Sequence, residues 1–269
     1  MTAGKLEADV DPLTSRAMRS YLDTRSGSVT AAVEDLRTRQ TWLYRPGARD
    51  QTGSIVKADI LETLLHQAEI SRRSLDGANP SVIQGMIENS DNDDATDLWN
   101  LVGGSTGVGA YNVTAGLTQT DPNPQGYWGE TTTSAADQIR LLQELAVPSS
   151  LLDAGSQGYA LNLMEHIESD QAWGVTGGVP AGVSVALKNG WLPLTTDTDW
   201  EINSIGGIKG DGRWYLVAVL TAHDSSMPYG ISTISRMSTL IWNGLKPVIV
   251  KATKPSSGSS GASGLTRRR

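Results

Sequence analysis

Apolar and polar positions alternate along the chain in two rhythms. Residues 11–25, DPLTSRAMRSYLDTR, predict a first helix with Asp11 as its cap and Pro12 at the first helical position. GSVTAAVEDL and RQTWLYR then alternate with period two and predict a hairpin. From about Ser54 to Arg72 the apolar positions return every three or four residues, predicting a long helix. Helical patterns recur at about 79–90, 93–103 and 133–146, and near 156–168. Residues 118–133, TQTDPNPQGYWGETTT, have no period and read as a long loop of the kind that carries function. After residue 180 the rhythm returns to two, in GVSVALKNGW, WEINSIGGIKG and GRWYLVAVLTAH, with GDG as the turn between the last two and a final helix at about 230–245.

Strands near both ends with helices between predict an α/β (α+β) fold. One antiparallel sheet, built from N- and C-terminal strands and flanked by helices, would carry an inserted all-helical lobe. The expected organisation is a single domain over 1–251, with the sheet lobe at about 11–58 and 180–246 and the helical lobe at about 59–179. Residues 252–269, rich in Ser and Gly, read as a disordered low-complexity tail or an added segment.

Composition narrows the function classes. At 269 residues with 38% hydrophobic content, the chain can bury a large core. A formal net charge of −7, with the only basic run at Arg267–Arg269, argues against nucleic acid or an anionic membrane as partner. The absence of cysteine excludes disulfides and thiolate chemistry, and the three histidines, His66, His166 and His223, are too scattered for a metal site. No window approaches a membrane span, and the first thirty residues hold no signal-like apolar run. The expectation is a cytosolic protein or one whose signal has been removed. Phenylalanine is absent, so bulky surfaces must be built from the eight Trp, the seven Tyr and aliphatic residues.

Three short motifs could carry chemistry. Ser54 and Lys57, one turn apart at a helix start, share a face; the helix N-terminus favours negative charge near the serine, and a desolvated lysine could take its proton. Taken singly, a capping serine with a solvated lysine is the commoner meaning. SDN, Ser90–Asn92, offers a hydroxyl and an amide, although all three residues are also good caps. KNG, Lys188–Gly190, ends the first late strand and by itself reads as an edge lysine before a turn.

In this order and on these elements, the three motifs resemble the serine β-lactamase and penicillin-binding protein superfamily, closest to its class A β-lactamase-like branch. The resemblance runs over roughly residues 11–246 and includes SIVK opening a long helix, SDN with VGG beyond it, TTTSAADQIRLL after the loop, and ALKNGW. It implies the β-lactamase/transpeptidase-like fold and a division of labour. Ser54 would be the acylated nucleophile, Lys57 its proton acceptor or hydrogen-bond partner, and Ser90 a relay to the leaving nitrogen. Asn92 would bind a substrate amide, while Lys188 would supply positive potential to Ser90 and to a substrate carboxylate. The backbone N–H groups of Ser54 and Trp191 would form the oxyanion hole, with Asn189 and Gly190 beside them in the binding strand. No cofactor is implied, because this chemistry needs none.

The departures from the family pattern change the expected activity. The loop lacks the ExxLN glutamate that activates the deacylating water; its acids are Asp121 and Glu130, and Glu130 reads as a structural carboxylate or as a replacement base. Asn189 stands where the family has threonine or serine, Trp191 where a small residue is common, and WEINSIGGIKG has no arginine to clamp a carboxylate. The expected function is therefore a β-lactamase-like serine hydrolase, acting by acyl transfer through Ser54 with slow or atypical deacylation, on a β-lactam, a cell-wall peptide or an ester. The alternative is a non-catalytic or penicillin-binding cell-wall recognition protein that keeps the fold. A monomer outside the cytoplasm, secreted or at the cell envelope, is the location and state that the resemblance implies.

A rival motif, GGSTG at Gly103–Gly107, fits the nucleophile elbow G-x-S-x-G, with Ser105 as nucleophile and His166 or His223 as base. That elbow must join a strand to a helix, and here the helical stretch DATDLWNLV precedes it, so an inter-helix turn is the expected reading.

Overall fold

Strand β7 (Arg213–Asp224) reads RWYLVAVLTAHD, apolar at nearly every position, which is the signature of a strand covered on both faces. The computed structural model, which describes residues 10–72, 75, 78–194 and 199–247, buries it in this way. Successive side chains point to opposite faces, so Leu216, Ala218 and Leu220 join one core while Tyr215, Val217 and Val219 join the other. On one side β7 pairs with β1 (Ser28–Asp35), which in turn pairs with β2 (Gln40–Tyr44). On the other it pairs with β6 (Trp200–Gly210), which pairs with β5 (Ser184–Pro193). The sheet order is β2-β1-β7-β6-β5 and every pairing is antiparallel, so the predicted fold class holds. Asp211 and Gly212, with φ of 47° and 70°, make the tight β6–β7 turn, where both positions need the left-handed region.

One face of the sheet is covered by α1 (Arg16–Leu22) and α8 (Met227–Gly244), through Leu13, Met18, Ile234, Met237, Ile241 and Trp242. Asp11 caps a 3₁₀ turn, Pro12–Thr14, by accepting from the Leu13 N–H, whereas α1 itself starts later than predicted and is capped by Ser15; Ser226 caps α8. The other face carries α2 (Val56–Ser71) and the helices α3 (Pro80–Gln84), α4 (Asn92–Leu101), α5 (Gly104–Ala115), α6 (Ala135–Ala146) and α7 (Ala154–Glu165). Every residue of α2 from Val56 to Leu65 is buried, so partners for its polar side chains can come only from the protein. Thr63 donates to the Asp59 carbonyl at 2.8 Å, and Glu62 accepts from the Tyr111 hydroxyl at 2.6 Å.

Three features depart from the sequence reading. Helix α5 was not predicted, because the glycines at 104, 107 and 109 lower its helix propensity, by up to about 1 kcal/mol each. Packing demands one of them: a Cβ on Gly107 would lie 1.8 Å from the Val102 carbonyl oxygen, at the tight joint between α4 and α5. The 118–133 loop is tied down at its end, by a two-stranded pairing of β3 (Asp50–Gln51) with β4 (Thr132–Thr133) and a bridge from Asp121 to Thr132. The predicted helix at 79–90 divides into α3 and a π-turn, Gly85–Asn89. The predicted tail, 252–269, lies outside the described residues.

Candidate active site

The edge of β5 that faces away from β6 lies against the turn holding Ser54. Glycine makes the approach possible from both sides. A Cβ on Gly190 would fall 2.7 Å from the Ser54 nitrogen and 2.5 Å from the Thr52 carbonyl oxygen; one on Gly53, whose φ is +51°, would fall 2.8 Å from the Trp191 nitrogen. Ser54 sits in a 3₁₀ turn, Gly53–Ile55, that leads into α2. It does not cap the helix: the N-cap position belongs to Ile55 and no side chain bonds the exposed N–H groups there. Its hydroxyl is left for other work.

Lys57, one turn on, is fully buried, which rules out the solvated lysine of the commoner reading. Its Nζ donates to the Ser90 carbonyl at 2.6 Å, the Ser90 hydroxyl at 3.1 Å and the Asn92 Oδ1 at 2.8 Å. The Trp128 ring covers the same ammonium, with its centroid 4.9 Å away. Lys188 arrives from β5, 1% exposed, and donates to the Ser90 hydroxyl at 2.9 Å and to its neighbour's carbonyl, that of Asn189, at 3.2 Å.

The local structure of SDN explains why those three residue types sit together. Ser90 terminates the π-turn in the left-handed region, φ 56° and ψ 36°, a conformation that costs a non-glycine residue about 1–2 kcal/mol. Asp91 then caps α4 by accepting from the Asp93 and Asp94 N–H groups. The middle residue organises the backbone, and the outer two face the lysines.

Burial dominates the electrostatics. Desolvation lowers the Lys57 ammonium to a pKa of about 7, opposed by the carboxylates of Asp91 and Asp94. Lys188 is lowered well below the usual lysine range, first by burial and then by Lys57. Two amines that meet at one hydroxyl cannot both hold a proton cheaply, and the arrangement can therefore move one.

The remaining predicted residues divide. Ser54, Ser90, Asn92, Glu130 and Trp191 line a cavity of about 470 Å³, together with Thr96, Tyr127 and Trp128. Gly190 does not line it and acts through the close approach above, which holds β5 against the serine turn. Asn189 does not face it: its Nδ2 donates to the Gln171 and Trp173 carbonyls, at 2.6 and 3.2 Å, and ties the 169–173 segment to the sheet. Trp173 stands behind Trp191, ring centroids 6.1 Å apart, instead of lining the cavity. Glu130 is exposed and accepts from the Asn123 amide at 3.2 Å; Asp121 pairs with Arg49.

Sequence reasoning missed two positioning residues. Asn203, fully buried on β6, donates to the Gln51 and Thr52 carbonyls at 2.8 and 3.0 Å and so holds the segment before Ser54. Its only signal was an asparagine in an apolar strand. Thr96 accepts from the Trp128 indole N–H at 3.1 Å and fixes the ring over Lys57. The elbow reading of Ser105 fails: it is the second residue of α5, and α4 lies immediately before that helix. His166 contacts the Asn162 carbonyl and His223 contacts Asp199. Among the described residues, no group of His, Asp or Glu is arranged to hold a metal ion.

A sheet joining both ends of the chain, a helical layer, and a serine–lysine cluster at the seam between them define a serine β-lactamase-like protein. The chain belongs to the Beta-lactamase enzyme family, whose model matches residues 79–245. The crystal structure of the TLA-1 extended-spectrum β-lactamase superposes with a TM-score of 0.76 at 18% identity, covering 85% of this chain and 96% of that one. A class A β-lactamase from Bacteroides cellulosilyticus gives 0.75 at 17%, over 85% and 95%. At these identities the likeness is one of fold. A curated relative from Mycobacterium tuberculosis, named "Putative lipoprotein LppW", is 30% identical over 178 residues, 62% of this chain and 54% of that protein. The chain thus spans about half the length of the curated relatives it matches.

Proposed function

We propose that this protein is a serine acyl-transfer enzyme in which Ser54 forms an acyl-enzyme that clears slowly. The observation that carries this reading is the Ser90 hydroxyl, held by Lys57 at 3.1 Å and Lys188 at 2.9 Å on the cavity wall beside Ser54. Lys57, desolvated toward neutrality, gives up one of its three donated hydrogen bonds when it loses its proton, and the lone pair so freed takes the Ser54 proton; Ser90, accepting from the amines, keeps its own O–H free to pass to the leaving group. With Asn92 Oδ1 occupied by Lys57, its Nδ2 is the end available to a substrate amide. The Ser54 and Trp191 N–H groups, brought together by Gly53 and Gly190, serve as the oxyanion hole, each contributing about 2.7–4 kcal/mol to the chemical step.

Slow deacylation follows from the loop. Asp121 is engaged with Arg49, and Glu130, the only carboxylate lining the cavity among the described residues, sits exposed at its rim with Asn123. Glu130 is the candidate replacement base. The lipoprotein name of the curated relative supports a place at the cell envelope. A second reading, a recognition protein without turnover, is favoured by the Trp191 wall and the diverted Asn189.

Intact-protein mass spectrometry after mixing with benzylpenicillin and with a chromogenic cephalosporin, beside Ser54→Ala, tests the proposal. A lasting adduct on the parent alone supports slow acyl transfer. Rapid turnover without accumulation overturns the slow step, and binding that survives Ser54→Ala with no adduct favours the recognition reading.

A further inference from the structure

Among the described residues, the cavity beside Ser54 offers no cation to an incoming ligand. Those that line it include no lysine, arginine or histidine. The two nearby lysines are 0% and 1% exposed, and their ammonium groups are committed to Ser90, Asn92 and the Asn189 carbonyl. Trp128 covers Lys57, and the Asn189 amide, which could have donated into the cavity from β5, is turned to Gln171 and Trp173.

What the cavity does present is aromatic and acidic. Tyr127 is 64% exposed at the rim, an unusual position for a large ring, and Trp128, Trp191 and Leu192 continue the apolar wall. Glu130 lines the same rim. Asn92 and Thr96 line the cavity from α4, Thr96 beside the Trp128 indole, and add neutral polar groups. A rim carboxylate with no cation among the lining residues repels an anion, and aromatic faces attract apolar groups and cations.

We infer that the site selects acyl donors that carry no anion near the reacting carbonyl, with an apolar or ammonium-bearing substituent lying against Tyr127 and Trp191. This rests on the acyl-transfer reading of Ser54 and specifies its substrate class. A carboxylate-bearing donor, the charge type of penicillins, would enter against the field of the rim.

A matched set of thioesters tests it: the phenylacetylglycyl ester of mercaptoacetate, its neutral mercaptoacetamide counterpart, and the cationic thiocholine counterpart, whose quaternary nitrogen cannot take the acyl group itself. Acylation of Ser54 is followed by mass and by thiol release, with fluorophosphonate labelling of Ser54 as an independent readout of the nucleophile. The neutral and cationic members are expected to give kcat/KM about tenfold above the carboxylate. The gap should shrink in 1 M salt, which screens charge but leaves shape unchanged. Glu130→Gln is expected to narrow it, and Tyr127→Ala to raise KM for all three while sparing kcat. Equal rates, or a faster carboxylate, overturn the inference and leave acyl transfer standing. So does fluorophosphonate labelling with no reaction of any thioester. No labelling and no acylation overturn both.

Discussion

Lys57 and Lys188 donate to the same oxygen, the Ser90 hydroxyl, at 3.1 and 2.9 Å, from opposite layers of the fold. One lysine comes from the central helix and the other from the edge strand β5. Their meeting makes Ser90 the joint between sheet and helices, and under the proposed acyl transfer it would make the protonation of Lys57 the control on the site.

The acylation rate should therefore depend on pH through Lys57. Burial lowers this amine to about 7, so it is protonated and inert as a base below that pH and free to accept a proton above it. A stopped-flow profile of acylation should rise through about pH 7 and then level. Lys57→Arg, which cannot lose its proton, should abolish the rising limb and reduce acylation at least a hundredfold.

Gly190 should tolerate no side chain. A methyl group there would press on the Thr52 oxygen and the Ser54 and Ile55 nitrogens at 2.5–2.8 Å, all backbone, so β5 and the serine turn must part. Gly190→Ala is expected to lower acylation about 10²-fold, the effect of misplacing an oxyanion donor. Gly158→Ala, where nothing lies within 4 Å of the new carbon, is the control and should leave it unchanged.

Asn203→Ala removes two hydrogen bonds and leaves the Gln51 and Thr52 carbonyls without the donor that holds them. A loss of about 1–3 kcal/mol in denaturant unfolding is expected. Because those carbonyls precede Ser54, acylation should fall as well, at substrate concentrations that saturate the parent.

Asp59, at 1% exposure on α2, makes the fold lose stability as pH rises from the acid range to neutrality. Neither of its carboxyl oxygens meets a donor in hydrogen-bond geometry among the described residues. Burial raises its pKa to about 7, opposed by the nearby Asn112 amide and reinforced by Asp137. An acid raised in the folded state binds its proton more tightly there. The unfolded chain ionises first, so stability falls as pH climbs from the usual aspartate range to about 7, and the cost is complete above that. Asp59→Asn should remove this dependence and stabilise the protein at pH 8 by roughly 2–4 kcal/mol. Melting curves of parent and variant at pH 5 and pH 8 measure it.

The elements that were legible in the sequence are those whose local pattern and final environment agree. Only β2 keeps an alternating exposure; β1, β5, β6, β7 and the first ten residues of α2 are buried over most of their length, and they were legible as apolar and β-branched runs bounded by turns and caps. Helix α5 was hidden because one of its glycines, Gly107, serves a close approach to the Val102 carbonyl at the end of α4, and a contact with backbone leaves no periodic trace. The π-turn was hidden within a helical pattern for a similar reason: its purpose is to end at Ser90 in the left-handed region.

For the site, the sequence by itself determined the residue types and their order: a serine one turn before a lysine, SDN after it, a lysine on a late strand. Tertiary structure alone decided what they do to one another. That Lys57 is buried and not solvated, that Asn189 turns to Gln171 while Lys188 turns to Ser90, and that Trp128 closes over the amine all depend on surfaces contributed by remote segments. Desolvation, which sets the chemistry of both lysines, is a property of everything packed around a group, and no short stretch of sequence carries it.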